Sequence, residues 1–230
     1  MGVHRQSKLH RTLQQLGWLK SSKLGYSEMS LEKNPLHCIN VFSKNDLKNS
    51  DLTGRDLSSM NLIRADLREA NLSKTKLKGV NLIDANLSGA NLSEANLIRA
   101  VLIGANLKGA SLIRANLVAA NLMGADLSDA KIFKADFLRA NLMGANLKNA
   151  NLSGADLMEA NLSGADFTGT VLSGANLTGA NLRFSINLSL AEIESAIFNR
   201  KTQFPDYIPI SWTSESTYKL TGTALQMVKS

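Results

Sequence analysis

A large apolar residue recurs at every fifth position from Leu47 to Leu182 without an insertion or deletion, giving 28 consecutive units in which only Ile132, Phe137 and Phe167 replace Leu. An amphipathic helix returns its apolar residues at spacings of three and four, and a half-buried strand at spacing two. Strict spacing five fits neither, so the chain must turn a corner once per unit. The pattern predicts an all-β solenoid with one repeat per side.

The other positions agree. Two residues before the Leu stands a small residue, mostly Ala, as at Ala65, Ala70 and Ala85 through Ala165. If Leu and Ala both point inward, large and small side chains alternate and fill a narrow interior without a channel. Directly before the Leu, 15 of the 28 units carry Asn and 8 carry Asp. Both tolerate turn dihedrals and bond to neighbouring backbone, as a repeated corner requires. Gly is common two residues after the Leu, as at Gly104 and Gly124, and relieves the same steric demand. The five exceptions to Asn or Asp are Lys76, Val101, Ser111, Lys131 and Val171. None of them threatens the core.

The run Ala-Asn-Leu-Ser-Gly-Ala-Asn-Leu, Ala85 to Leu92, resembles the A(D/N)LXX signature of the pentapeptide repeat proteins, and the resemblance covers about 60% of the chain. It implies a right-handed quadrilateral β-helix with four units, hence about 20 residues, per coil. Handedness comes from the resemblance alone. The 28 units then make about seven coils, a stack roughly 34 Å long at about 4.8 Å per rung. The closing Thr202-Gln203-Phe204-Pro205 resembles cyanobacterial members of the family.

The chain divides by composition into a basic N-terminal arm or cap (1–41), the β-helix (42–187), a C-terminal capping helix (188–199) and a tail (200–230). In the first coil Asn45, Ser50, Arg55 and Met60 stand where later coils have Ala, which predicts a distorted coil or an end cap. After Leu182 the period dissolves. Ser189 to Glu192 reads as a capping box ahead of Ile193, Ala196 and Ile197, so a short helix is expected from about Leu190 to Phe198. An open coil end exposes apolar core and unpaired backbone, which such a cap would cover. The tail is expected either to be disordered or to lie back on the rod.

In the arm, Arg5, Lys8, Arg11, Lys20 and Lys23 precede the first acid, Glu28, and Leu9, Leu13 and Leu16 keep helical spacing. Three readings compete: a solvated arm, a contact to an anionic surface or nucleic acid, and an organellar presequence. Met1-Gly2 invites myristoylation, but Gln6 stands where that motif needs Ser or Thr. Nowhere do 18 consecutive apolar residues occur to span a bilayer. Cytoplasm is the default location, with the presequence as its competitor.

Composition argues against chemistry. His4, His10, His37 and Cys38 all precede the repeats, and His37 beside Cys38 has no second pair to complete a metal site. A single cysteine allows no internal disulfide and fits a reducing compartment. A rod filled by its own Leu and Ala offers no interior substrate cavity. No catalytic, cofactor or metal residue is assigned, and no small-molecule substrate is expected.

The formal charge of +7 lies mostly in the arms, and residues 41–183 hold 16 Lys or Arg against 13 Asp or Glu. The family includes gyrase inhibitors that present an acidic, duplex-shaped rod, and a DNA mimic should be strongly negative. This rod is nearly balanced, so modulation of a topoisomerase by DNA mimicry is the alternative, disfavoured reading. A basic ladder does run along one face as Lys48, Arg68, Ser88, Lys108, Ser128 and Lys148. No aromatic residues interleave it as nucleic-acid stacking would need, so it reads as a solvated ladder.

Sorting the residue after each Leu at intervals of 20 gives Ile63, Ile83, Ile103, Met123 and Met143 on one side, and Ile98, Val118, Leu138 and Met158 on the adjacent side. On the other two sides the same position is mostly Ser, Thr, Lys and Arg, interrupted by Ile113 and Phe133. These nine residues are the candidate interface, nine apolar side chains over about 19 Å of rod. Three occupants are open: the chain's own arms, including Phe204, Tyr207, Ile208, Ile210 and Trp212; a second copy; or another protein. The expected function is a non-enzymatic scaffold or regulatory module that meets a macromolecule through a rigid surface.

Overall fold

Residues 47–214 and 217–220 are described by the computed structural model of the protein. Parallel bridges join each ladder residue to the one 20 positions later, from Asp51↔Asn71 through Asn161↔Asn181 to Asp166↔Ile186. Four five-residue units therefore close one coil, and the side chains in each column repeat at one residue per rung.

The local cause is visible in one unit. Ala85 N–H donates to the Leu82 carbonyl at 3.0 Å and closes a four-residue turn. The third residue of each such turn has positive φ, for example Asp84 at 54° and Gly124 at 64°, as in a type II turn. No heavy atom lies within 4 Å of a Cβ built on Gly124, so its value there is conformational rather than steric.

Backbone accounting explains the Asn and Asp. Within 81–85, Asn81 N–H donates to Met60 O, Leu82 N–H to Val101 O, Asp84 N–H to Ile103 O and Ala85 N–H to Leu82 O. The fifth donor, Ile83 N–H, reaches the Asn81 Oδ1 at 3.2 Å. An Asx side chain before the Leu thus satisfies the one N–H that the coil geometry leaves over. The same carboxamides also bond from rung to rung: Asn141 Nδ2 to Asn121 Oδ1, Asn161 Nδ2 to Asn141 Oδ1 and Asn181 Nδ2 to Asn161 Oδ1, each 3.2 Å.

The inward Leu and Ala columns are fully buried from Leu67 to Leu182, and Phe137 and Phe167 occupy Leu positions without exposure. Where Thr takes the small position, its hydroxyl is satisfied. Thr75 and Thr170 donate to the carbonyls of Leu52 and Leu147, one rung back, at 2.9 and 2.8 Å. The first coil is not distorted: Asp51 and Asp56 keep the 20-residue bridges, and Asn49, Gly54 and Ser59 keep positive φ. Its weakness is sealing, since Leu52, Arg55 and Met60 stay half-buried.

The period also persists beyond Leu182 in three dimensions. Ile197 pairs with Asn176 and Gln203 with Asn181, at offsets of 21 and 22 residues. One extra residue is taken up in the stretch that holds α1 (Leu190–Ser195) and a second between Ile197 and Gln203; α1 begins at Ser189, whose side chain accepts the Glu192 N–H. Ile193 of α1 is fully buried, and Ala196 returns to extended φ/ψ, so the helix stops before Phe198. The physical reason is the bridge of Ile197 to Asn176, which needs extended backbone. Thr202 sits at the next small position and donates to Leu177 O at 2.8 Å.

The described part of the tail lies against the C-terminal end of the coil. Ile208 is buried and Phe204 and Ile210 pack on the core, followed by the hairpin β1 (Ile210–Trp212) and β2 (Tyr218–Leu220) in antiparallel register. Phe198 holds this end together, with ring centroids 5.1 Å from Phe204, 6.0 Å from Trp212 and 4.8 Å from Tyr218.

Candidate functional site

Ile63, Ile83, Ile103, Met123 and Met143 stack as the second residues of successive turns. The third-residue N–H of each lower turn donates to the carbonyl of the next, as from Arg64 to Ile83 and from Gly104 to Met123. Ile98, Val118, Leu138 and Met158 form the same kind of column on the preceding corner, linked by Arg99 N–H to Val118 O and Ala119 N–H to Leu138 O. Between the columns lie the uncharged ladder residues Val101, Asn121, Asn141 and Asn161, bordered by the exposed turn residues Arg99, Arg139 and Glu159. Ile63 and Met143 are 43% and 42% exposed. The other seven are half-buried because each rests on its neighbours one rung away.

The tail residues named as possible covers pack elsewhere. Phe204, Ile208 and Ile210 join the core at the C-terminal end, and Trp212 joins the ring cluster around Phe198. Residues 1–41, with His4, His10, His37 and Cys38, lie outside the described residues.

Beyond the exposed Lys48, each cation of the basic ladder has a carboxylate partner. Arg68 makes two bonds to Asp66, at 2.8 and 2.6 Å. Lys108 lies 3.8 Å from Asp129 and Lys148 3.5 Å from Asp166. Burial raises the Asp166 pKa, but the Thr168 hydroxyl and N–H, the Asn187 amide and Lys148 outweigh it and hold the carboxyl at about 2. Sequence alone could not show this, because the partners Asp129 and Asp166 come from other rungs.

The five departures from Asx have a consequence at the backbone. No bond to the N–H of Lys78, Ile103, Ile113, Phe133 or Ser173 exists among the described residues, whereas the Asx units satisfy theirs. The departures were legible in the sequence; the orphaned donor was not, since it follows from the coil's hydrogen-bond count.

For chemistry the fold offers little. Among the described residues no group of His, Cys, Asp and Glu could hold a metal ion. A half-open cleft of about 560 Å³ lies outside the core between the Arg183–Ile186 corner and Pro205–Tyr207. No nucleophile–base pair lines it. No helix among the described residues is long and apolar enough to cross a membrane.

A coil of four Asx-Leu units per rung, with a turn at every fifth residue, is the architecture of a pentapeptide solenoid. The Pentapeptide repeats family model matches residues 46–82, 81–117, 120–157 and 155–200, in 8 copies, and the chain belongs to that family. Membership implies a right-handed quadrilateral β-helix. No curated protein matches the chain significantly. Among solved structures it is similar to HetL of Nostoc sp. strain PCC 7120, a pentapeptide repeat protein involved in heterocyst differentiation regulation. The identity is 32% over 70% of this chain and 85% of that one, with a TM-score of 0.27. It is also similar to a trypsin-treated form of QnrB1, a plasmid-mediated fluoroquinolone resistance protein, at 21% identity over 72% of this chain and 87% of that one, TM-score 0.42. A third is a pentapeptide repeat protein from the Arabidopsis thaliana thylakoid lumen, at 31% identity over 64% and 73% of the two chains, TM-score 0.18.

Proposed function

We propose that the chain is a non-enzymatic protein-interaction module, a scaffold or regulatory rod that offers a preformed surface to another protein in the cytoplasm. The observation that carries this reading is the pair of apolar columns, Ile63 to Met143 and Ile98 to Met158, flanking the uncharged ladder of Val101, Asn121, Asn141 and Asn161, on a rod whose other corners are polar apart from Ile113 and Phe133. A rigid face loses little conformational entropy when it binds, and Met123, Met143 and Met158 adapt to a partner's shape. In this reading residues 42–187 are the binding rod of about seven coils, 188–199 are its C-terminal cap, and 1–41 and 200–230 are appendages. The alternative, a DNA mimic acting on a topoisomerase, is disfavoured because several rod carboxylates are matched by cations. Asp84 lies 3.6 Å from Arg64 and Glu159 2.6 Å from Arg139.

The test is light scattering on a sizing column, with circular dichroism, for wild type and the double variant Ile103→Glu, Met123→Glu. The reading expects two folded monomers, with a partner captured by wild type lost from the variant. An oligomeric wild type that the substitutions convert to a folded monomer would make the face a self-association surface. An unfolded variant would mean that the chain's own arms cover it.

A further inference from the structure

We infer that a second surface, the corner formed by Ile113, Arg114, Lys131, Phe133 and Lys134, binds carboxylates on an acidic, apolar-containing segment of a partner protein. The inference rests on reading the chain as a protein-binding module, but it concerns a different corner from the apolar columns.

The corner departs from its own column in every position that matters. At the ladder position the column runs Asp51, Asn71, Asn91, Ser111, Lys131, Asn151, and only Ser111 and Lys131 lack an Asx side chain between Asp51 and Asn151. In the Asx units a side-chain oxygen accepts the N–H two residues on, as Asn91 does for Ser93 and Asn151 for Ser153, at 3.1 and 3.0 Å. At Ser111 and Lys131 it does not, so the N–H groups of Ile113 and Phe133 have no partner among the described residues. The Ser111 hydroxyl is instead 2.9 Å from that of Ser93. Two adjacent rungs, about 4.8 Å apart, thus present backbone donors where a carboxyl or carboxamide oxygen sits in neighbouring rungs. An incoming carboxylate supplies that same oxygen with a charge.

Three cations surround the pair of donors. Arg114, Lys131 and Lys134 are exposed, and none is ion-paired among the described residues. Glu94, one rung below Arg114, lies 4.0 Å from Lys74. Phe133 is 40% exposed in a column otherwise of Thr and Ser apart from Ile113, with the Lys134 ammonium 5.1 Å from its ring centroid. An exposed aromatic ringed by cations is the composition of a small hot spot.

Charge decides the occupant. Residues 1–46 carry seven Lys or Arg against three Asp or Glu, and 221–230 carry one Lys and no acid. The chain's own arms therefore repel this corner. A second copy presenting the same corner repels it too. Single-stranded nucleic acid would be served by a row of aromatics along a continuous basic groove, whereas here a single aromatic stands between Ile113 and Ser153, and the cationic column ends at Gly154. A short acidic protein segment with an apolar side chain fits the charge, the donors and the size.

The test uses the full chain and fluorescence anisotropy of a fluorescein-labelled 12-residue Glu-rich peptide with a central Leu-Phe pair. The variant Ser111→Asn, Lys131→Asn restores the column's own residues, so its carboxamides take the two N–H groups internally. It should bind the peptide at least about tenfold more weakly while melting no lower than wild type. Phe133→Ser, the residue of the next rung at Ser153, should weaken binding about fivefold. Binding by wild type should fall with added salt, and a Gln-for-Glu peptide should not bind. The inference is overturned if wild type does not bind the peptide, or if Ser111→Asn, Lys131→Asn binds it as wild type does. It is equally overturned if a 12-residue oligo(dT) binds this corner as tightly, which would make it a nucleic-acid site. Loss of the peptide by Ile103→Glu, Met123→Glu alone would overturn it and leave the proposed function standing. Peptide binding that survives those two substitutions and is lost on restoring Asn supports it, even if the apolar columns prove to have no partner.

Discussion

Replacing Asn141 by Ala removes three hydrogen bonds at once while leaving the backbone ladder intact. Its Oδ1 accepts from Met143 N–H and from Asn161 Nδ2, and its own Nδ2 donates to Asn121 Oδ1, each at 3.2 Å. Its backbone bridges to Asn121 and Asn161 do not involve the side chain. The side chain is half-buried, so water can serve the released groups in part, and each bond is worth about 0.5–1 kcal/mol. The sum is a loss of about 2 kcal/mol. Asn141→Asp separates the contributions, since a carboxylate still accepts from Met143 and Asn161 but cannot donate to Asn121. It should cost about 1 kcal/mol at pH 7. Urea denaturation followed by far-UV circular dichroism measures both. A loss under about 0.5 kcal/mol for Asn141→Ala, or equal losses for Ala and Asp at pH 7, would refute the claim that the carboxamide stack stabilises the coil.

Leu122→Ala, at a fully buried position with neighbours fixed by the rung above and below, should cost about 3–5 kcal/mol by the same denaturation. Gly124→Ala should cost about 1 kcal/mol from left-handed backbone alone. Gly169→Ala should cost more, because its Cβ would sit 2.5 Å from Asn149 Oδ1 and push that carboxamide off Asp129; melting temperatures of the pair give the order. Asp166, held at about 2 against an ordinary 3.8, contributes about 2 kcal/mol of stability. That contribution is complete above about pH 5 and disappears as pH falls through 3.8 toward 2. In Asp166→Asn the loss of stability between pH 5 and pH 2 should accordingly be smaller than in wild type by about that amount.

The repeat made the coil legible because one backbone path is written 28 times, and each unit states the same demands: a large side chain inward, a small one beside it, an Asx oxygen for the remaining N–H. The end of the rod was not legible. The five-residue period stops at Leu182, yet Ile197 and Gln203 still find rung partners at offsets of 21 and 22, since the stretch holding α1 takes up one extra residue and the corner before Gln203 another. Once sequence spacing varies, only the ladder itself can hold register. The first coil shows the converse: Arg55 and Met60 suggested distortion, but hydrogen bonds made by backbone atoms do not depend on side-chain size, so the path is kept and only the seal is loose.

The two apolar columns could be sorted from the sequence because a column is arithmetic on a period of 20. What tertiary structure alone decided are the relations across rungs. Asp129 lies within reach of Lys108 and Asp166 of Lys148, which quiets the basic ladder, while the N–H groups of Ile113 and Phe133 are left without the oxygen that neighbouring rungs provide. The sequence determines which side chains face in and which face out, because that follows from local turn geometry repeated without error. Which outward groups are satisfied depends on distances between residues about 20 apart, and those exist only once the coil has closed.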